Sequence, residues 1–177
     1  MAKIKIATAW LGGCSGCHMS FLDLDERLID LHGRAELVYS PIMDVKVFPA
    51  GVDVTLVEGA VANSDNLELL ETIRRNSRIL VAFGDCAVTG NVTAMRNGLD
   101  RDEILRDVYG ELGVTFGKQD GTVLPVLHES VTPIHKAVSV DAYLPGCPPD
   151  ADLIWYVITE LLEGRQPVLT EDLLKYG

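Results

Sequence analysis

The sequence predicts an α/β protein built on a doubly wound parallel sheet, with helices on both faces. Two patterns carry this. Short apolar runs alternate with amphipathic helical stretches through short connections, which is how an α/β sheet is written in sequence. Arg78-Ile79-Leu80-Val81-Ala82-Phe83 is apolar throughout after one polar residue, as suits a parallel strand buried on both faces.

The elements follow in order. Lys3 to Thr8 reads as a strand with Ile4 and Ile6 as its apolar positions, and Leu11-Gly12-Gly13 breaks it. From about Cys17 to Leu31 the pattern turns helical, with Phe21, Leu24, Leu28 and Leu31 on one stripe and Asp23, Asp25 and Glu26 on the other face. Leu37 to Ser40 and Val52 to Val57 are the second and third strands, the latter stopped by Glu58-Gly59. Asp65 with Glu68 resembles a capping box and opens a helix through Leu67, Leu70 and Ile73. The strand ending at Phe83 comes next. A short helix is expected near Asp102 to Tyr109, with loops around Gly110, Gly113, Gly117 and Gly121. Val138 to Leu144 reads as the last strand. Asp150 caps a final helix bearing Leu153, Ile154, Val157 and Leu161, and Gly164 fits its C′ position. Thr170 to Tyr176 adds one more turn. The expected strand order is flavodoxin-like.

Composition narrows the function. At 177 residues the length prior gives one domain, 1–177, and 47% hydrophobic residues suffice for a sizeable core. The formal net charge of -11 argues against nucleic acid, which needs a basic patch, and against an anionic membrane surface. No apolar run approaches the roughly 18 residues of a spanning helix. The N-terminus runs directly into a strand pattern, without the apolar stretch and cleavage site of a signal peptide. A cytoplasmic chain is expected, and there four cysteines point to metal or catalysis before disulfides.

Those cysteines are Cys14, Cys17, Cys86 and Cys147. Cys14, Cys86 and Cys147 each follow a strand-like run, and ligands of open α/β sheets bind outside the carboxyl ends of the strands. The topology therefore gathers the four thiols at that edge, whatever their separation in sequence. Glycines beside all four let backbone approach a bulky inorganic core, and four thiolates suit one iron–sulfur cluster. A structural zinc site would more often use two short knuckles. A thioredoxin-type pair would leave Cys86 and Cys147 unexplained, and four ordinary buried thiols are the plainest alternative.

Cys14-Ser-Gly-Cys17-His-Met-Ser-Phe21, Val57-Glu58-Gly59-Ala60-Val61, Gly84-Asp85-Cys86-Ala87-Val88-Thr89-Gly90 and Pro145-Gly146-Cys147-Pro148-Pro149 resemble the four blocks of [NiFe]-hydrogenase small subunits. The resemblance spans about residues 3 to 163. It implies that the four cysteines bind the proximal [4Fe-4S] cluster, while the nickel–iron site lies in a separate large subunit. The related quinone-oxidoreductase subunit has adjacent cysteines in the first block, so the Cys-x-x-Cys here favours hydrogenase. Without a twin-arginine signal or cysteines for further clusters, the chain resembles the short, single-cluster subunit of cytoplasmic, bidirectional NAD-reducing enzymes. That implies electron transfer to a diaphorase module carrying further clusters, flavin and NAD. Some soluble relatives are thought to hold a second FMN; here the loop after the first strand carries cysteines, not a Ser/Thr-rich phosphate loop.

Glu58 stands at the same edge. It is read as a carboxylate in a proton path or facing a partner, or as a solvated strand end. His18 is expected to pack or hydrogen-bond rather than ligate. His32, His128 and His135 lack ligand spacing, and Trp10 and Trp155 are expected to be core or interface anchors. The alternative in a different class is a structural zinc scaffold without redox work. The loops at 10–18, 58–62, 84–92 and 144–149, poor in charge, are expected to form a docking face.

Overall fold

The computed structural model describes residues 3–116 and 124–173. β1 (Ile4–Trp10), β2 (Ala35–Tyr39), β3 (Val52–Glu58), β5 (Ser77–Phe83) and β7 (Ala142–Leu144) form one sheet in the order β2-β1-β3-β5-β7. Every neighbouring pair in it is parallel. Counted within this sheet alone the order is 2-1-3-4-5, the flavodoxin-like winding. The remaining strands, β4 (Val61–Asn63) and β6 (Leu127–Thr132), make a separate antiparallel pair.

The central strands alternate between two cores. Ile6, Val54, Leu56, Val81 and Phe83 face one side. There they meet α1 (Gly16–Leu22), α2 (Arg27–Arg34) and α6 (Ala151–Leu162) through Phe21, Leu31, Ile154 and Ile158. Ala7, Ala9, Val57, Leu80 and Ala82 face the other, against Leu70 and Ile73 of α3 (Ser64–Asn76) and Ala87 of α4 (Asp85–Thr89). Burial on both faces explains why these strands carry almost no polar alternation.

Several expectations shift. The helix expected over 17–31 is two helices, because Asp25 takes φ +50° and the chain turns at 23–26. Aspartate tolerates that left-handed geometry, and the turn keeps Leu24 buried at 2% exposure. α3 is capped by Asn63, whose Oδ1 accepts the Asn66 N–H at 2.9 Å, and not by Asp65, which lies in the first turn. The short helix near 102–109 extends as α5 (Arg101–Phe116), with non-helical backbone at Gly110. The loops expected at Gly117 and Gly121 lie outside the described residues, as do residues 174–176 of the last expected turn, which is a 3-10 turn at Glu171–Leu173.

β7 is shorter than the 138–144 run. Val138 donates its N–H back to Ile134 O, which holds the preceding segment in a turn. Asp141 then meets Leu80 twice, donating its N–H at 2.9 Å and accepting the Leu80 N–H on Oδ2 at 2.8 Å. The β4–β6 pair had no apolar run to announce it. Its β6 edge is completed by the Asn97 side chain, which donates to Val131 O and accepts from Val131 N at 2.8 and 2.7 Å. The Asp150 cap of α6 stands as expected, accepting from Leu153 N at 2.8 Å, and Gly164 follows the helix at φ +73°.

Candidate metal centre

The parallel winding places the ends of β1, β5 and β7 at one edge, and each opens into a cysteine-bearing loop. The first is pinned to the end of β3 by a bridge: Gly12 N–H donates to Ala60 O at 2.9 Å and Ala60 N–H to Gly12 O at 2.8 Å. Gly59 (φ +87°) makes this approach possible, since a Cβ there would lie 2.9 Å from Gly12 O. Ser15, at φ +61°, then turns the chain into α1, and Gly16 N–H donates to Cys14 Sγ at 3.4 Å.

Cys17 is buried, Cys86 half-buried, and Cys14 and Cys147 are exposed. Burial first, then the charges of Glu58 and of the Cys86, Cys14 and Cys147 thiols, push the Cys17 thiol well above its ordinary range. Burial also pushes Cys86 up; a Thr93 backbone hydrogen bond opposes this, Cys147 and Cys14 add to it, and the Thr93 side chain opposes it again. The four sulfurs thus sense one another electrostatically. As thiolates they would repel, so the quartet fits a cationic core that displaces their protons. Shape agrees: a Cβ on Gly84 would fall 2.2 Å from Cys17 Sγ, so only glycine leaves that sulfur its place. Among the described residues no three His, Cys, Asp or Glu side chains gather closely enough for a single metal ion.

Beneath the sulfurs lies a row of strand ends. Trp10, Glu58 and Phe83 are cross-strand neighbours on β1, β3 and β5. The His18 ring lies over this row, its centroid 5.3 Å from Trp10 and 6.1 Å from Phe83. Glu58 Oε2 accepts the His18 N–H at 3.0 Å and pairs with His18 Nδ1 in a short contact. Glu58 is 2% exposed, so the solvated-strand-end reading of this residue fails: its carboxylate is spent inside the chain. His18 packs and hydrogen-bonds, as expected, and its Nε2 is buried without a hydrogen-bond partner among the described residues.

Removing the Glu58 acceptor has a calculable effect. Glu58→Ala leaves two buried donors of His18 unpaired, each costing roughly 1–3 kcal/mol. The urea midpoint of the Ala variant should fall clearly, and Glu58→Gln, which keeps one acceptor oxygen, should fall less. Equal midpoints for Ala and wild type would remove Glu58 from the framework of this edge.

Two ties were not legible in the sequence. Asp85 Oδ1 accepts the Gly146 N–H at 2.7 Å, and the Asp85 N–H donates to Gly146 O at 2.9 Å. Ser20 Oγ donates to Pro149 O, joining α1 to the loop after β7. The other sequence candidates scatter. His135 meets Tyr143 edge-on, 6.1 Å between centroids, and the His32 carbonyl accepts from Lys3. Trp155 packs against the first core, while Trp10 is 41% exposed beside His18. Residues 58–61 are buried within the chain, which removes most of the 58–62 loop from the docking face expected of it.

A family model described as NADH ubiquinone oxidoreductase, 20 Kd subunit, matches residues 14–161. That span holds all four cysteines and most of the doubly wound sheet, and the chain belongs to this family. Within it the similarity is to hydrogenase subunits. The NAD-reducing hydrogenase HoxS subunit delta of Cupriavidus necator is 38% identical over 179 residues, 98% of this chain and 86% of that protein. A chain in a crystal structure of an NAD+-reducing [NiFe]-hydrogenase in the H2-reduced state is 44% identical, covers 99% of this chain and 100% of its own length, and superposes with TM-score 0.90. The iron-sulfur subunit of the F420-non-reducing hydrogenase of Archaeoglobus profundus is 30% identical over 93% of this chain and 57% of that protein. The chain spans little more than half the length of such archaeal relatives. No helix among the described residues is long and apolar enough to cross a membrane.

Proposed function

We propose that this chain is the small, electron-transferring subunit of a cytoplasmic NAD-reducing [NiFe]-hydrogenase. Cys14, Cys17, Cys86 and Cys147 would hold one [4Fe-4S] cluster between a nickel–iron large subunit and an NAD-reducing diaphorase module. One observation carries the reading: a full-length match to a chain of an NAD+-reducing [NiFe]-hydrogenase, at TM-score 0.90, in a protein whose cysteine-bearing segments share one sheet edge.

A bound cluster supplies a site that accepts and releases single electrons. The chain's own residues do the rest. Cys17 and Cys86, withdrawn from solvent, would hold the inner side, and Cys14 and Cys147 the outer. Gly84 keeps the space beside Cys17 free of a side chain. Thr93, whose Oγ1 donates to Gly90 O, lies beside Cys86 and eases the rise in its pKa. Glu58 and His18 fix the first cysteine loop against β3. A flavin phosphate would compete for the loop after β1, which carries Cys14 and leads directly into Cys17 on α1.

A structural zinc scaffold would need all four sulfurs on one centre at about 2.3 Å. The test separates the two readings. This chain, separated without oxygen from the complex, should carry about four iron and four sulfide, with a broad absorption near roughly 400 nm. The complex should also reduce NAD with H2, and this chain alone should not. Stoichiometric zinc without that absorption would overturn the reading.

A further inference from the structure

We propose that Asp85 is a positioning residue that clamps the loop of the fourth cysteine to the helix of the third. Cys86 and Cys147 come from different strands and are 61 residues apart in sequence, the separation of the adjoining Asp85–Gly146 pair. Cys147 is exposed, on a loop that β7 leaves after only three residues. Such a loop is mobile unless something holds its backbone.

Asp85 holds it from both sides. Its carboxylate takes the Gly146 N–H at 2.7 Å and its own N–H reaches the Gly146 carbonyl at 2.9 Å, so both backbone polar groups of Gly146 are engaged by one residue. Gly84 N–H adds a third bond, to Leu144 O at 2.8 Å. Gly146 is at φ +137°, where a Cβ would fall 2.5 Å from Pro149 Cα, so the loop has little room to rearrange. Asp85 immediately precedes Cys86 and Gly146 immediately precedes Cys147. Locking the two residues to each other fixes the relative placement of the two sulfurs. A carboxylate beside a quartet of thiolates is electrostatically unfavourable, which makes its acceptor oxygen, rather than its charge, the reason for its place.

The clamp rests on the reading that Cys86 and Cys147 are both ligands. Its test uses the assembled complex, purified anaerobically, with Asp85→Ala and Asp85→Asn compared with wild type. A ferrous-iron chelator reports iron release, a redox titration followed by electron paramagnetic resonance reports the potential, and hydrogen exchange reports peptides covering 142–149. Hydrogen bonds to charged groups are lost in Asp85→Ala, so iron release should quicken about tenfold or more, with faster exchange over 142–149 and unchanged exchange in β3. Asn keeps the acceptor oxygen and drops the charge. It should release iron at close to the wild-type rate while its potential rises. Loaded wild type with an Asp85→Ala variant equally slow to release iron overturns the clamp alone. Asp85→Asn as labile as Asp85→Ala overturns it too, because charge would then be what matters. A wild-type chain that holds no iron when taken from the anaerobic complex would instead sink the ligand reading itself.

Discussion

Replacing Cys86 with alanine is expected to strip this chain of most of its iron within the assembled complex. Cys86 sits in the first turn of α4, half-buried. Alanine is a strong helix former, so the helix and the sheet beneath it should survive, and circular dichroism should show this. What goes is one of four thiolates. Alterations to groups that merely support a metal ligand cost about 10–100-fold, and if Cys86 is the proposed ligand its loss should exceed that in the proposed H2-driven NAD reduction. Iron held by this chain should drop from about four to a small remainder, while iron in the partner subunits stays. A Cys86→Ala complex with full iron and an unmoved potential would show that the four-thiol assignment is mistaken.

The second large effect needs no ligand to be touched. Gly84→Ala should empty the site almost as thoroughly. Gly84 lies at φ +82°, ψ 163°, in a region nearly reserved for glycine. Its added Cβ would meet Cys17 Sγ at 2.2 Å, Gly146 O at 3.5 Å and Cys17 Cβ at 3.6 Å. A sulfur at a free surface could swing away cheaply, but Cys17 is only 7% exposed, and swinging away means ceasing to point into the site. Backbone strain adds about 1–3 kcal/mol. Gly33→Ala in α2 is the matched control: nothing lies within 4 Å of its added Cβ, and it should be neutral or slightly stabilising. Full iron content in Gly84→Ala, with Gly33→Ala unchanged, would mean that Cys17 is not an inner ligand.

Much of the edge was legible in the sequence because parallel winding is a strong constraint. Once Ile79–Phe83 reads as a doubly buried strand, its end and the end of β1 must share an edge, and Cys14 and Cys86 come together without any local signal linking them. Glycine beside each cysteine carried the rest. The sequence was silent where tertiary partners decide. Nothing local says that Glu58 will turn inward onto His18, or that Asp85 will bind a backbone amide of Gly146. The single 17–31 stripe was correct about which residues are buried and wrong about continuity, since Asp25 breaks the helix while Leu24 still reaches the core. β6 was invisible for a related reason: Leu-His-Glu-Ser-Val-Thr is a strand only because Asn97 and β4 complete it.

The uneven exposure of the four thiols bears on how such a subunit is made. The row of Trp10, Glu58 and Phe83 under His18 is built wholly from this chain's own side chains, so the floor of the site needs no partner. Cys17 then waits inside, and Cys14 and Cys147 stand at the rim. With the cysteines as ligands, the two exposed thiols mark the side from which an inorganic core would be delivered, and a large subunit seated there would shield it from solvent.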